Sequence, residues 1–365
     1  MPVDLQLRSL LRRPNNKNDP TIQYLNKVCR CLENMQCALE AMKHDGLPTL
    51  KEHSAGLFNL GNTCYINAIA QSLANTPSIL RNFFREFKPE DLNTESLSGG
   101  LILKEFSKLL RDLWNEEKPF QPIAFHKQVG IFEPIFGDHS QQDAMEYLQY
   151  LLERLHQDFN QLGEYPENVQ SNDEGINYWQ EYCSIKRSPI IKTFAGQKLN
   201  TLCCQSCGNI SKRYEIIWNI SLPLPKKNKT ISLLDCFGEH FKDEVFEDRI
   251  CSNCNNKGST NAIEVSRWPE ILIIQLIRFS ATGKIDTMVK CPLNLDIVQH
   301  GPPMKYDLRA VVNYFGNSVL GHYTASCKHP TTNKWFNLND EKVKQINSDH
   351  VITSNAYLLF YEMIQ

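Results

Sequence analysis

The chain has 365 residues, 41% hydrophobic and 22% charged, with a formal net charge of -2. This is the balance of an ordinary globular chain of two or three domains, or of one large composite domain. No surplus of positive charge points to nucleic acid or an anionic membrane surface, and no run of 18 or more apolar residues predicts a membrane span.

The first residues, Met1-Pro-Val-Asp-Leu-Gln, lack the apolar core of a signal peptide. The thirteen cysteines are therefore expected in a reducing compartment, cytoplasmic or nuclear. There, cysteine serves metals or catalysis sooner than disulfides. Residues 14–20 are rich in chain breakers. Residues 19–43 then predict one helix with Ile22, Leu25, Val28, Leu32, Met35 and Leu39 on one face. Its Cys29, Cys31 and Cys37 match no metal-ligand spacing. The extension, residues 1–54, is read as carrying a packing helix or a helix for an unknown partner.

The stretch Gly56-Leu-Phe-Asn-Leu-Gly-Asn-Thr-Cys-Tyr-Ile-Asn67 sets Cys64 between a polar loop and an apolar pattern. Ile66, Ile69, Ala70 and Leu73 follow the i, i+3, i+4, i+7 spacing of a helix buried on one face. Cys64 then falls in the first turn, where unpaired N–H groups and the helix dipole favour a thiolate, the attacking species. An inert core cysteine would show the same local pattern; what decides between them lies farther along the chain. The helical pattern runs to about residue 161, with Leu103, Phe106, Leu110 and Leu113 on one helix and Met145, Leu148, Leu152 and Leu155 on another. Residues 162–182 are polar and predict a surface loop. Short β-branched and aromatic runs at 216–222, 271–275, 309–312, 323–327 and 356–361 predict strands. Helices first and strands second predict an α+β fold.

Cys204-Gln-Ser-Cys207 and Cys251-Ser-Asn-Cys254 are two C-x2-C knuckles with 43 residues between them. Each turn supplies two thiolates of a tetrahedral four-sulfur zinc site, with no open position for chemistry. Gly208 permits the tight turn, strand-like flanks place the metal at the tips of two hairpins, and Cys203 is left a bystander. Later, Gly321-His-Tyr-Thr-Ala-Ser-Cys327 marks a loop-to-strand boundary. A thiol nucleophile needs a histidine base and a third group to hold the imidazole. Two strands of one hairpin can bring His322 to Asn339 or Asp340.

With these features in this order, the chain resembles the ubiquitin-specific proteases, papain-like cysteine peptidases, from about residue 55 to 364. Residues 56–67 resemble the family's cysteine box and Gln141-Gln-Asp143 its central box. Phe194-Ala-Gly-Gln197 with the first knuckle resembles the lead into the zinc fingers, and Leu276-Ile-Arg-Phe279 the Leu-Lys-Arg-Phe strand. Residues 321–327 resemble the histidine box and 356–361 the closing strand. The resemblance implies a helical thumb (about 55–185), with an antiparallel palm and zinc-tipped fingers (about 186–364) that grip ubiquitin. It implies Cys64 as nucleophile, His322 as general base, Asn339 as third member with Asp340 in support, and Asn59 as oxyanion donor. The Cys64 N–H would be the second such donor, each giving about 3 kcal/mol. It further implies substrate contacts at Gln142, Asp143, Gly321 and Tyr323, with Asp143 receiving an arginine of the ubiquitin tail. One structural zinc ion would sit on Cys204, Cys207, Cys251 and Cys254.

The sequence departs from the family in four places. Asn339 stands where most members have aspartate, and Asn313-Tyr-Phe-Gly316 replaces Asn-His-Ser-Gly in the expected gating loop. Ile277 and Gln275 replace a lysine and a frequent histidine. Three other readings compete with the deubiquitinase: a ubiquitin-binding pseudo-enzyme, a protease for another ubiquitin-like modifier, and a zinc-dependent nucleic-acid binder. The last would rest on the knuckles and on Lys226-Lys-Asn-Lys229, which reads as a solvated loop.

Overall fold

A computed structural model describes residues 50–83, 92–159, 171–185, 188–225, 230–280, 283–317 and 320–364. They belong to one compact unit, Leu50–Gln365. The predicted helix over 19–43 and the basic cluster at 226–229 lie outside the described residues. Among the described residues no helix is long and apolar enough to cross a membrane.

The first half is helical: α1 Cys64–Ala74, α2 Pro77–Phe83, α3 Leu101–Asn115, α4 Ile123–Phe132, α5 Ala144–Phe159, α6 Glu174–Ile185 and α7 Pro189–Phe194. The predicted stripes are inward: Leu103, Phe106, Leu110 and Leu113 of α3, and Met145, Leu148, Leu152 and Leu155 of α5, are all buried. The one-sided burial expected of α1 does not hold, because all eleven of its residues are buried. Helices cover one side and a sheet the other, so its polar positions need internal partners. Ser72 Oγ donates to Ala68 O at 2.8 Å, and Gln71 Nε2 donates to Ala55 O at 2.6 Å. The loop predicted over 162–182 is corrected in its second part, since 174–185 form α6. Asp173 Oδ1 accepts from the Gly175 and Ile176 N–H groups at its start. Trp179 packs under the Arg267 guanidinium at 4.6 Å. Such aromatic contact with a distant strand outweighs a polar average over the window.

The second half holds β1 Gly196–Cys204, β2 Ile210–Ile217, β3 Ile220–Pro223, β4 Thr230–Ser232, α8 Leu233–His240, β5 Glu244–Ile250, β6 Lys257–Arg267 and β7 Ile271–Ile277. It continues with β8 Phe279–Ser280, β9 Gly283–Lys284, β10 Met288–Lys290, β11 Asn294–Ile297, β12 Met304–Gly316, β13 Gly321–Lys328, β14 Trp335–Asn339, β15 Lys342–Ile346 and β16 Ala356–Met363. An eight-stranded sheet runs β15-β14-β13-β12-β16-β7-β3, with β11 beside β12, and a four-stranded sheet runs β2-β1-β6-β5. The single strand predicted over 216–222 is in fact two: β2 lies in the smaller sheet and β3 in the larger. Trp218 and Asn219 are where the chain changes sheets.

The larger sheet separates two cores. In β16, Leu358 and Phe360 join the helical core around α1, α3 and α5, whereas Leu359 and Tyr361 join the second core with Leu233 and Phe237 of α8. This is the period of two of an extended chain, with both faces covered. The arrangement leaves α1 pressed against the ends of β13 and β14, which is where the site forms.

Candidate active site

Cys64 opens α1 and is buried at 3% exposure. Thr63 precedes it at the cap position, so the Cys64 N–H has no partner within the helix. The loop ahead is tied by Asn59, whose Oδ1 accepts from the backbone N–H groups of Gly61 and Thr63, both at 3.0 Å. Gly61 has φ of 107°, a region open to glycine at little cost.

His322 lies on β13 and Asn339 at the end of β14, next to it in the sheet. His322 Nε2 stands 2.7 Å from Asn339 Oδ1. An amide oxygen only accepts, so Nε2 carries the hydrogen and Nδ1 is left for Cys64. The neighbouring Cys64 side chain is the main influence raising the His322 pKa from 6.5 to about 9; partial burial opposes it, and Asn339 and the Asp340 charge add to the rise.

Neighbouring residues of a strand point to opposite faces, yet Asn339 and Asp340 both approach His322. Asp340 has φ of 50°, in the left-handed region, and this breaks the alternation. Its Oδ2 is 3.9 Å from His322 Nε2 and accepts from Asn59 Nδ2 at 3.1 Å. Its Oδ1 accepts from Asn67 Nδ2 at 2.8 Å. Asn339 thus holds the ring, and Asp340 ties the Asn59 loop to α1. An amide nitrogen has two hydrogens, so Asn59 keeps one beyond the bond to Asp340.

A cleft of about 200 Å³ adjoins Cys64, with Gln142, Asp143, Tyr314, Gly321 and Tyr323 among its walls. Asp143 caps α5: its Oδ1 accepts from the Met145 and Glu146 N–H groups at 2.7 and 3.1 Å. Its Oδ2 accepts from the Tyr357 hydroxyl at 2.6 Å and the Tyr323 hydroxyl at 3.4 Å. Both oxygens are therefore engaged before any arginine arrives. Tyr357 is itself held by Gln275 Nε2 at 2.8 Å, and Gln275 Oε1 accepts from Ser221 Oγ. This gives the substituted Gln275 a role in aiming Tyr357. Ile277 is 40% exposed and nothing in the structure explains its replacement of lysine. Gln142 donates to Ser140 Oγ at 2.5 Å, while Gln141, part of the central box but given no role from sequence, reaches across to β13. Its amide donates to Gly321 O at 2.9 Å and accepts from Gly321 N at 3.0 Å. Residues 313–316, expected as a gating loop, are instead the end of β12, with Phe315 opposite His322 and Gly316 opposite Gly321.

At the far tip of the smaller sheet, Cys204, Cys207, Cys251 and Cys254 bring four sulfurs within 4.8 Å of one another. Cys204 and Cys254 are 3.7 Å apart and Cys207 and Cys251 are 3.8 Å apart. These separations suit sulfurs arranged around an ion, and the four residues could hold a metal. Cys203 stays outside the group.

A buried thiol at a helix start, a histidine held by an asparagine, and a helical half facing a sheet define a papain-like α+β architecture. Residues 55–361 match the ubiquitin carboxyl-terminal hydrolase family, and the chain belongs to that family. It is 34% identical to human ubiquitin carboxyl-terminal hydrolase 2 over 85% of this chain and 55% of the relative. It is 33% identical to human ubiquitin carboxyl-terminal hydrolase 21 over 85% and 61%. The chain thus spans little more than half the length of the first of these relatives. Its fold is similar to a SAGA Ubp8/Sgf11/Sus1/Sgf73 DUB module bound to ubiquitin aldehyde, with TM-score 0.72, 21% identity, and coverage of 95% of this chain and 76% of that one.

Proposed function

We propose that this chain is a thiol isopeptidase that releases ubiquitin from conjugates by cleaving after its C-terminal glycine. The observation that carries the reading is the Cys64–His322–Asn339 alignment at the head of the cleft in a member of this family. Cys64 sulfur, its proton taken by His322 Nδ1, attacks the carbonyl carbon of the last glycine. Asn59 Nδ2 and the Cys64 N–H stabilise the oxyanion. His322 returns the proton to the departing lysine nitrogen as the C–N bond breaks, leaving a thioester. Water, deprotonated by His322, then attacks the same carbon, and the thiol leaves with the proton.

The tail lies between α5 and β13. Gln141, Gly321 and Tyr314 wall that channel, and a narrow passage there suits the paired glycines of the tail. Asp143 acts first as the cap of α5, and it receives a tail arginine by giving up the long Tyr323 bond. The ion at the four-cysteine tip is zinc: a tetrahedron with Zn–S of about 2.3 Å sets sulfurs about 3.8 Å apart, which matches the 3.7 and 3.8 Å separations. That ion holds two turns together and takes no part in the chemistry. Support for the ubiquitin reading comes from the relatives' names and from the ubiquitin aldehyde bound by a fold neighbour.

The test is reaction with ubiquitin bearing a C-terminal electrophile. The native chain should form a covalent adduct and Cys64→Ala should not. Binding without adduct would make the chain a pseudo-enzyme, and neither binding nor adduct would redirect the search to other ubiquitin-like modifiers.

A further inference from the structure

Asn67 lies one turn after Cys64 on α1 and is 2% exposed. Its Nδ2 faces three oxygens, Asp340 Oδ1 at 2.8 Å, Leu57 O at 3.3 Å and Phe58 O at 3.4 Å. Three acceptors around one atom leave no doubt that it is the nitrogen, since a carbonyl there would meet only other acceptors. Its Oδ1, by contrast, is buried without a hydrogen-bond partner. A buried amide that leaves its acceptor unsatisfied forfeits stability, so its contribution is its donors, and these point at the Asp340 turn. Asp340 passes the constraint on: its other oxygen holds Asn59 Nδ2 at 3.1 Å and lies 3.9 Å from His322 Nε2. The Leu57 N–H also donates to Asp340 O at 2.9 Å.

We infer that Asn67 is a positioning residue that locks the nucleophile helix, the oxyanion amide of Asn59 and the Asp340 turn into one rigid frame. This rests on the proteolytic reading above and goes beyond it. Asn67 touches no reacting atom. Without its bond the Asp340 carboxylate keeps only the longer bond from Asn59 Nδ2, and the Asn59 amide and the turn bearing Asn339 lose their anchor to α1. Misplacement of such groups by about 1 Å costs on the order of 100-fold in rate.

The experiment uses the full chain and ubiquitin with a C-terminal fluorogenic amide, with active sites counted by an electrophilic ubiquitin probe. Asn67→Leu, which keeps the volume and removes the donors, should lower kcat roughly 10- to 100-fold with KM within about twofold. Asn67→Asp at pH 8, the same shape without a donor, should be as slow. In an Asp340→Ala background, Asn67→Leu should add less than about a twofold loss, because the two act through one bond. A residue needed only for folding would lower the count of active sites and leave kcat per site unchanged. Native kcat in Asn67→Asp, or losses that multiply across the pair, would overturn the inference alone. An inert native chain would overturn the proteolytic reading and this inference with it.

Discussion

Cys64 and the four-cysteine tip set the same atom in opposite surroundings. Cys64 is enclosed at the start of a wholly buried helix, and its partners come from three other segments of the chain. The sulfurs of Cys204, Cys207, Cys251 and Cys254 gather on two local turns, with Cys207 exposed and Cys251 and Cys254 half-buried, and face chiefly one another. The first site depends on how a helical half meets a sheet. The second depends on two four-residue turns whose sulfurs could hold a metal. A change at one should therefore leave the other nearly untouched, and their consequences should separate into chemistry and grip.

The largest effect belongs to the base. His322→Ala should lower kcat by ~10³-fold while ubiquitin still binds, as read by steady-state kinetics and titration; loss of binding with retained turnover would contradict the separation. Asn59→Ala should follow, at ~10²-fold in kcat, with KM little changed. On the other side, Cys207→Ser should lose the bound metal and weaken ubiquitin binding severalfold, with kcat per bound substrate held. Full metal content with native binding would remove the tip from the account.

The pH profile sharpens the same comparison. The raised His322 pKa means the ring keeps its proton up to about 9. Turnover that needs this proton for the leaving amine should fall as pH rises through that value. The stabilisation of the charged ring has the same sign, present in full below 6.5 and lost as pH rises through about 9. Asn339→Ala removes one cause of the raised value, so the alkaline limb should move to lower pH; an unmoved limb would detach Asn339 from the base. The smallest effect is expected from Tyr357→Phe, which leaves Gln275 Nε2 and Asp143 Oδ2 each short of a partner. It should cost ~1–2 kcal/mol, read by thermal unfolding, with chemistry largely retained.

What the sequence determined by itself was local. The spacing of Ile66, Ile69, Ala70 and Leu73 specified α1 and put Cys64 at its start, and the C-x2-C spacing specified the knuckles, because both depend on residues a few positions apart. It also separated helices from strands, since the periods of 3.6 and 2 are written in neighbouring side chains. The tertiary structure decided the rest. Burial of α1 on all sides follows from what packs around it, and α6 is held against a distant strand where Trp179 meets Arg267. That Asn339 meets the His322 ring at 2.7 Å while Asp340 stays at 3.9 Å depends on a turn with a left-handed φ at Asp340, which no composition reveals. Asp143, Gln141 and Asn67 each also bond across 180 to 273 positions of chain, and such bonds exist only after folding has brought their ends together.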